Sequence, residues 1–174
     1  AIEGEKITTL DGVERKLDSS DLVIANATEA MCIAGVLGSE KHGVSDSTSR
    51  ILLESAYFDS VSVRKSAKRH GLSTDASFRF ERQVDPNAVV AAAERVAELI
   101  CKWAGGAVMG AEMIGVDGEV KGAAVELEWN MLDRIVGVRL EKARVKSILD
   151  ALDIMVASEN KDGLKLEVPA YRSD

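Results

Sequence analysis

The sequence contains few of the residues that mark several common protein classes. Two cysteines, two prolines and 4% aromatic residues occur among its 174 positions. Cys32 and Cys101 are too few and too far apart to indicate a disulfide framework or a zinc site, so we expect a reduced, cytoplasmic setting. With 46% hydrophobic and 29% charged residues, the chain has enough apolar material for a core and is not typical of a disordered protein.

Long apolar runs and nucleotide-binding signatures are also missing. No hydrophobic stretch approaches the roughly 20 residues of a membrane span, and residues 1–10 lack the basic start and apolar core of a signal peptide. The sequence has no phosphate-binding loop, dinucleotide fingerprint or nucleophile elbow. We therefore expect no membrane partner, and the length fits one domain or one domain plus a small second one.

The sequence does contain an uneven distribution of charge. The whole chain has a formal net charge of −7. Residues 61–82 nevertheless reach +4, because six Lys or Arg stand against Asp75 and Glu81, and the remaining residues sum to −11. Such a local excess favours an anionic partner that contacts one segment of the protein.

Four of these basic residues lie in a helix predicted over 61–70. Asp59 or Ser60 can cap its start, and Gly71 stands where a helix often ends. Basic residues four positions apart share a helix face, and cations near a helix C-terminus also suit the helix dipole. The cluster is therefore either a structural feature of the helix or a nucleic-acid contact. Its members are Arg64, Lys65, Lys68 and Arg69.

Turn and periodicity signals outline the other elements of this first region. Asp11-Gly12 predicts a hairpin between residues 6–10 and 15–17. The apolar run 31–37 predicts one strand buried on both faces, and Asp85-Pro86 starts the clearest helix. We expect the apolar stripe of that helix to lie in the core: Val89, Ala93, Val96, Ile100 and Trp103.

A smaller region follows the glycine-rich stretch 106–122. Short helices over 130–136 and 141–152 precede two strands joined by a turn at 160–163, an order that suggests a winged-helix-like unit. We place the boundary near residue 118, which divides the chain into domains 1–117 and 118–174. The core expected for the second domain consists of Leu127, Leu132, Ile135, Val145, Ile148, Leu149, Leu152 and Val168.

Two stretches of the first region have the composition of a binding site. Ile51-Leu52-Leu53 predicts an apolar strand that leads to Glu54, and a carboxylate at the end of such a strand is either a salt-bridged structural group or a functional acceptor. Residues 72–77 are too rich in small polar side chains for a core strand, so they either bind a ligand or make a turn. Composition and periodicity alone predict no more than an α+β protein with a small second domain.

Three segments together resemble a known family. LLESAYFD (52–59), RHGLSTDASFRFER (69–82) and VDP (84–86) look like the editing domain of bacterial phenylalanyl-tRNA synthetase β subunits. The resemblance extends over nearly all 174 residues. It implies an α+β fold with a mixed or antiparallel sheet and packed helices in 1–117, the second half of that editing domain. A small winged-helix-like domain would follow.

The resemblance also implies a substrate site. Family members use the position matching Glu54 to recognise the phenolic hydroxyl of mischarged tyrosine, and the positions matching Gly38, Thr74 and Ala76 line the same pocket. Water then hydrolyses the aminoacyl ester of tyrosyl-tRNA(Phe), because a polar pocket accepts a tyrosine that the synthetic site failed to exclude. The half of the domain that supplies a histidine and an arginine lies upstream, and His42 does not match that histidine.

Cofactors and partners follow from the same resemblance. We expect no cofactor in this part of the protein, while ATP and Mg²⁺ belong to the parent enzyme, whose aminoacylation site lies in the other subunit. That parent enzyme is an α2β2 heterotetramer with the synthetase α subunit and binds tRNA(Phe). The sequence departs from the family at Ser39 and Gln83, where glycine is usual.

Two alternatives to an editing enzyme stay open. One is a tRNA-binding scaffold module without chemistry. The other is a DNA-binding winged-helix protein, which the mixed charges of the helix over 141–152 disfavour. The environment of Glu54 separates editing from scaffold, since an open carboxylate supports editing and a closed ion pair supports a scaffold.

Overall fold

The computed structural model describes residues 1–115, 118 and 120–172. Every strand pairing among them is antiparallel, and the three small sheets are accompanied by helices, which confirms the predicted α+β class. The chain forms two compact units: unit 1 is residues 1–84 with 88–112, and unit 2 is residues 85–87 with 113–174. The predicted boundary at 117/118 involves Asp117, which lies outside the described residues. In the described part of the chain, no helix is long and apolar enough to cross a membrane.

Unit 1 begins with the predicted hairpin. Strand β1 (Lys6–Thr8) pairs with β2 (Glu14–Lys16). In the turn between them, the Asp11 carboxylate accepts hydrogen bonds from Thr9 Oγ1 at 2.6 Å and from Arg15 Nη1 at 2.7 Å. These local contacts close the turn, which explains why a short sequence motif predicted it correctly.

The apolar run 31–37 forms two strands rather than the single predicted strand. β4 (Ala30–Ile33) pairs with β3 (Val23–Ala25) on one side and with β5 (Leu37–Gly38) on the other. Gly35, at φ +67°, reverses the chain between β4 and β5, and an added Cβ there would lie 3.0 Å from core side chains. The prediction was wrong because a continuous apolar run does not distinguish one long strand from a tight hairpin.

Two helices pack on this sheet region. α1 (Ser60–Arg69) starts as predicted, since the Asp59 carboxylate accepts the Ser62 N–H at 2.7 Å. α2 (Asp75–Phe80) occupies the stretch that we interpreted as a turn or a ligand-binding segment. Its first residues are helical because Thr74 and Ser77 form a capping box, a signal that the small polar composition concealed.

The core of unit 1 draws on strands, connections and α1. Phe58 and Phe80 stack with ring centroids 5.1 Å apart in a tilted arrangement, which joins α2 to the same cluster. Burial of these side chains positions α1 and α2 over the β4–β5 turn. The buried set is Ile7, Leu17, Ala30, Ile33, Ala34, Val36, Phe58, Val63 and Ala67.

The long helix α3 (Val89–Ala104) corrects one prediction. It ends at Gly105, which has φ +74°, as the sequence indicated. Its apolar stripe, however, is not in the core, because no residue of α3 is buried and Trp103 is 75% exposed. An amphipathic pattern identifies a face that prefers burial but not the element that covers it.

Unit 2 has the predicted order of elements. A three-stranded antiparallel sheet with strand order β6-β8-β7 packs with two short helices. In β8 the residues alternate between buried and exposed, as expected for a central strand with one face on a core. The elements are β6 (Ala124–Glu128), α4 (Trp129–Val136), α5 (Lys142–Ala151), β7 (Met155–Glu159) and β8 (Gly163–Glu167).

The core of unit 2 matches half of its predicted members. Its buried residues are Val145, Leu149, Leu164 and Leu166, with Leu127 and Leu132 packed against them. Three predicted core residues are instead exposed: Ile135 (70%), Ile148 (38%) and Leu152 (42%). The helices bury a narrower stripe than their apolar content suggested, because each contacts the sheet along one line of residues.

Candidate functional site

Glu54 lies in an extended segment and not at the end of a strand. Residues 49–59 contain no helix or strand, and within the described residues no backbone hydrogen bond joins 49–58 to other backbone groups. The preceding aliphatic residues are exposed, Leu52 to 88%. The apolar strand that we expected here is absent, because a strand needs a hydrogen-bonded neighbour and no described sheet includes this segment.

The Glu54 carboxylate has no ionic or hydrogen-bonding partner among the described residues. The residue as a whole is exposed, yet protein atoms around the carboxyl group partly bury it and raise the pKa of Glu54, since burial disfavours the charged form. A carboxylate that is partly desolvated and unpaired is available to accept a hydrogen bond from a ligand.

The electrostatic effect of Glu54 on Cys32 connects Glu54 with the β4–β5 pair. Burial, and after it the negative charge of Glu54, raises the pKa of the Cys32 thiol, so the two groups lie within electrostatic range of each other. Cys32 stands opposite Gly38 in the β4–β5 register. An added Cβ at Gly38 would lie 3.4 Å from Leu10 Cδ1, so a large side chain would crowd this face. Sequence reasoning considered Cys32 only as a disulfide or zinc residue, because its neighbours in the fold follow from strand register.

Thr74 approaches the same region from α2. Its Oγ1 donates to the Val36 carbonyl at 2.7 Å and accepts the Ser77 N–H at 3.0 Å, while Ser77 Oγ accepts the Thr74 N–H at 2.9 Å. Since Val36 immediately precedes β5, these contacts hold the start of α2 beside Gly38. The Thr74 hydroxyl therefore has protein partners for both its donor and its acceptor functions.

The predicted pocket residues thus gather around β4 and β5. Gly38 is part of β5. Thr74 donates a hydrogen bond to Val36, the residue before β5. Burial and the charge of Glu54 raise the pKa of Cys32, which stands opposite Gly38 in the β4–β5 register. Ala76 is half-buried in the first turn of α2, two residues after Thr74. Gly38 and Ala76 are small, and the Thr74 hydroxyl has hydrogen-bonding partners. Of these four candidates, Glu54 has the polar side chain without a partner among the described residues.

The four basic candidates on α1 divide into two groups. Arg64, Lys65 and Lys68 are exposed, and within the described residues no ion pair includes them; we call these three the basic face of α1. Arg69 instead forms an ion pair with the buried carboxylate of Asp21. The exposed cations are suited to contact a polyanion, whereas Arg69 is held by the protein.

Sequence reasoning missed the buried carboxylate of Asp21, whose side chain is 0% exposed. It accepts hydrogen bonds from the Asp18 N–H at 2.9 Å, Ser66 Oγ at 2.7 Å, His70 Nε2 at 2.8 Å and Arg69. Burial by itself favours the neutral acid, but these hydrogen bonds hold the pKa of Asp21 below its usual range. We call Asp21, Ser66, Arg69 and His70 the Asp21 cluster. Three of its members are at least 45 residues from Asp21 in sequence, so no local signal predicts it.

The two departures from family glycines have different consequences. Ser39 has φ −84° and tolerates a side chain, whose Oγ lies 2.8 Å from His42 Nδ1. Gln83 has φ +67°, in the left-handed region that favours glycine. Within the described residues, no group of three or more His, Cys, Asp or Glu side chains is placed to hold a metal ion.

Two family models match the chain in succession. Residues 1–105 match the B3/4 domain, and residues 125–174 match the tRNA synthetase B5 domain. The two matches fall on the two regions separated by the glycine-rich stretch.

Curated relatives have one name, phenylalanine–tRNA ligase β subunit. The protein from Bacteroides thetaiotaomicron is 44% identical over 180 residues, and one from Bacteroides fragilis is 42% identical over 172 residues. The protein from Carboxydothermus hydrogenoformans is 39% identical over 171 residues. These alignments cover 98–99% of this chain but 21% of each relative, so the chain spans about a fifth of their length.

Proposed function

Because this chain belongs to the B3/4 domain family and has the B3/4 and B5 domains of a phenylalanyl-tRNA synthetase β subunit, we propose that it forms one wall of an editing site. At that site, water hydrolyses tyrosine that has been wrongly attached to tRNA(Phe). The whole subunit would act in tRNA aminoacylation, with this part correcting errors after transfer.

The observation that supports this function best is the unpaired carboxylate of Glu54. An ionised carboxylate accepts a hydrogen bond from the phenolic hydroxyl of tyrosine, whereas phenylalanine offers no donor. Only tyrosine therefore gains a hydrogen bond to this partly desolvated carboxylate, so such a pocket prefers the incorrect amino acid. An ion pair at Glu54 would have favoured the scaffold interpretation.

The neighbouring residues suit a binding wall. Gly38 and Ala76 are small residues, and the Thr74 hydroxyl donates its proton to the Val36 carbonyl and accepts the Ser77 N–H. A hydroxyl whose proton is donated to a backbone carbonyl is a poor nucleophile, because its activation requires a general base. Water is therefore the proposed nucleophile, and no covalent intermediate with these residues forms.

The partners of the whole enzyme are part of the same proposal. The full-length β subunit pairs with the synthetase α subunit in an α2β2 heterotetramer and binds tRNA(Phe). ATP and Mg²⁺ act at the aminoacylation site in the other subunit. In this chain, the basic face of α1 contacts tRNA phosphates, because its cations are exposed and unpaired within the described residues.

Replacement of Glu54 in the full-length enzyme tests the editing role. We expect Glu54→Ala to slow deacylation of tyrosyl-tRNA(Phe) while phenylalanylation is unchanged. A charged hydrogen bond contributes about 1.5–3 kcal/mol, so recognition should fall about 10- to 150-fold. Glu40→Ala, which removes an exposed carboxylate of the same unit, is the matched control and should edit normally.

A second variant separates loss of the acceptor from loss of space. Ala76→Trp should fill the pocket and exclude free tyrosine as an inhibitor of deacylation. Glu54→Ala should still bind free tyrosine weakly. If Glu54→Ala deacylates tyrosyl-tRNA(Phe) at the wild-type rate, the proposed function is wrong and the segment is a scaffold.

A further inference from the structure

The Asp21 cluster joins the end of α1 to the loop that precedes β3, and residues of the proposed pocket follow both parts in the chain. We propose that Asp21 is a positioning residue for this pocket: it holds the connection between α1 and α2 against the β3–β4–β5 sheet. The inference rests on the proposed editing function, and it requires no contact between Asp21 and the substrate.

The cluster is built as a rigid contact. Asp21 is fully buried, the His70 side chain is 5% exposed, and Ser66 is 2% exposed. The carboxylate receives hydrogen bonds from three side chains of the last turns of α1 and from its own loop through the Asp18 N–H. Displacement of α1 would leave a buried anion without its donors, which is strongly unfavourable.

One end of this contact belongs to the sheet. Asp21 lies two residues before β3, and the carbonyl of the intervening Leu22 accepts the Ala34 N–H at 3.0 Å. β3 in turn pairs with β4. The position of Asp21 is therefore fixed relative to the strands that contain Cys32 and Gly38.

The other end belongs to the segment that leads into α2. After His70 the chain turns at Gly71, and the Leu72 N–H donates to the Ala67 carbonyl at 2.9 Å. Four residues after His70, Thr74 bonds to Val36 at 2.7 Å. The connection is thus held at its start by Asp21 and at its end by Val36, and loss of the first contact should loosen the wall formed by Thr74 and Ala76.

The test uses the full-length β subunit assembled with its α subunit. We expect Asp21→Asn to lower kcat for deacylation of tyrosyl-tRNA(Phe) by about 10- to 100-fold, since small misplacements of a site have effects of this size. KM for the mischarged tRNA should change little, because Glu54 and the basic face of α1 are intact, and phenylalanylation should be unchanged. Ser66→Ala should have a smaller effect in the same direction.

Hydrogen exchange supplies a readout that does not depend on editing. In Asp21→Asn, the exchange of the amides of residues 71–80 should be accelerated by a larger factor than that of the β1–β2 hairpin, which belongs to the same unit and reports the general loss of stability. If Asp21→Asn does not fold, the exchange of residues 71–80 is measured in Ser66→Ala instead. Alanine preserves the helix, and the substitution removes one hydrogen-bond donor to the Asp21 carboxylate. Unchanged exchange in 71–80 in the folded variant overturns the proposal.

A matched control distinguishes positioning from general stability. Leu17→Ala opens a cavity in the same core and removes none of the side-chain donors to Asp21. Equal losses of editing in Leu17→Ala and Asp21→Asn, at equal loss of stability, would show that the cluster is merely structural and overturn the proposal. If the proposed editing function is wrong, Glu54→Ala will edit normally. In that case the hydrogen exchange of residues 71–80 still shows whether Asp21 holds this segment.

Discussion

Unit 1 contains two carboxylates that stand beside aliphatic triplets in the sequence but reach opposite states in the structure. Asp21 precedes Leu22-Val23-Ile24 and is buried with four donors around it, so its pKa is lowered. Glu54 follows Ile51-Leu52-Leu53 and has no partner among the described residues, and partial burial of its carboxyl group raises its pKa. A carboxylate whose oxygens accept hydrogen bonds from the protein stabilises the fold, whereas a carboxylate without such donors is available to a ligand.

Removal of the charge of Asp21 should produce the largest effect. We expect Asp21→Asn to destabilise unit 1 by about 3–5 kcal/mol, because it leaves Arg69 and His70 facing a neutral group in a buried site. The pKa of Asp21 is lowered in the folded state, so its contribution to stability is complete above about pH 4 and is lost as the pH falls further. Native-state hydrogen exchange at several pH values measures this, and a variant as stable as the wild type at pH 7 would contradict it.

The cations of α1 can be compared in the same way, since one is paired with a carboxylate and the others are not. Neutralisation of Arg64 and Lys65 should weaken tRNA binding and reduce the slope of log affinity against log salt by roughly 1.5, because each lost phosphate contact lowers it by about 0.7–0.9. Arg69→Ala should leave the slope unchanged, since its charge is paired with Asp21. Binding titrations over a range of salt concentrations measure both slopes. An equal slope for all variants would contradict a contact between the basic face and phosphates and would favour a purely structural role of these residues.

Backbone strain just after α2 is expected to have a smaller effect. Gln83 has φ +67°, which costs an L-residue about 1–2 kcal/mol. We expect Gln83→Gly to stabilise unit 1 by about 0.5–1 kcal/mol, after the entropy that glycine loses on folding is deducted. Gly71→Ala, at φ +63°, is the reverse experiment and should destabilise. Thermal unfolding measures both, and a less stable Gln83→Gly would show that the Gln83 side chain contributes more than its strain.

The smallest effect concerns Glu54 itself. Its pKa is raised in the folded state, so the ionised form is slightly unfavourable above that pKa. Glu54→Gln should therefore raise the melting temperature slightly at pH 7, and the difference should vanish below about pH 4, where the wild-type group is neutral. Melting curves of the subunit at both pH values test this. A lower melting temperature at pH 7 would mean that Glu54 has a stabilising partner, which would support the scaffold interpretation.

Local signals in the sequence predicted much of this structure. The Asp11-Gly12 hairpin, the Asp59 cap of α1, Gly105 after α3 and the turn at 160–163 all depend on residues close in sequence. The core prediction failed for Trp103 and Ile135, because periodicity identifies an apolar face without its partner. The helix α2 was missed because its capping box resembles a turn in composition.

The amino-acid sequence by itself determined the α+β class, the order of elements in unit 2 and, through resemblance, the four residues of the proposed pocket. These properties depend on turn chemistry, hydrophobic period and an ordered motif, all of which are local in the chain. Tertiary structure alone decided which carboxylate has its acceptors occupied, because the three side-chain donors to Asp21 are 45–49 residues away in sequence. It also decided that Arg69 pairs within the protein while Arg64 remains exposed, since the two lie on the same helix and differ in what packs beside them.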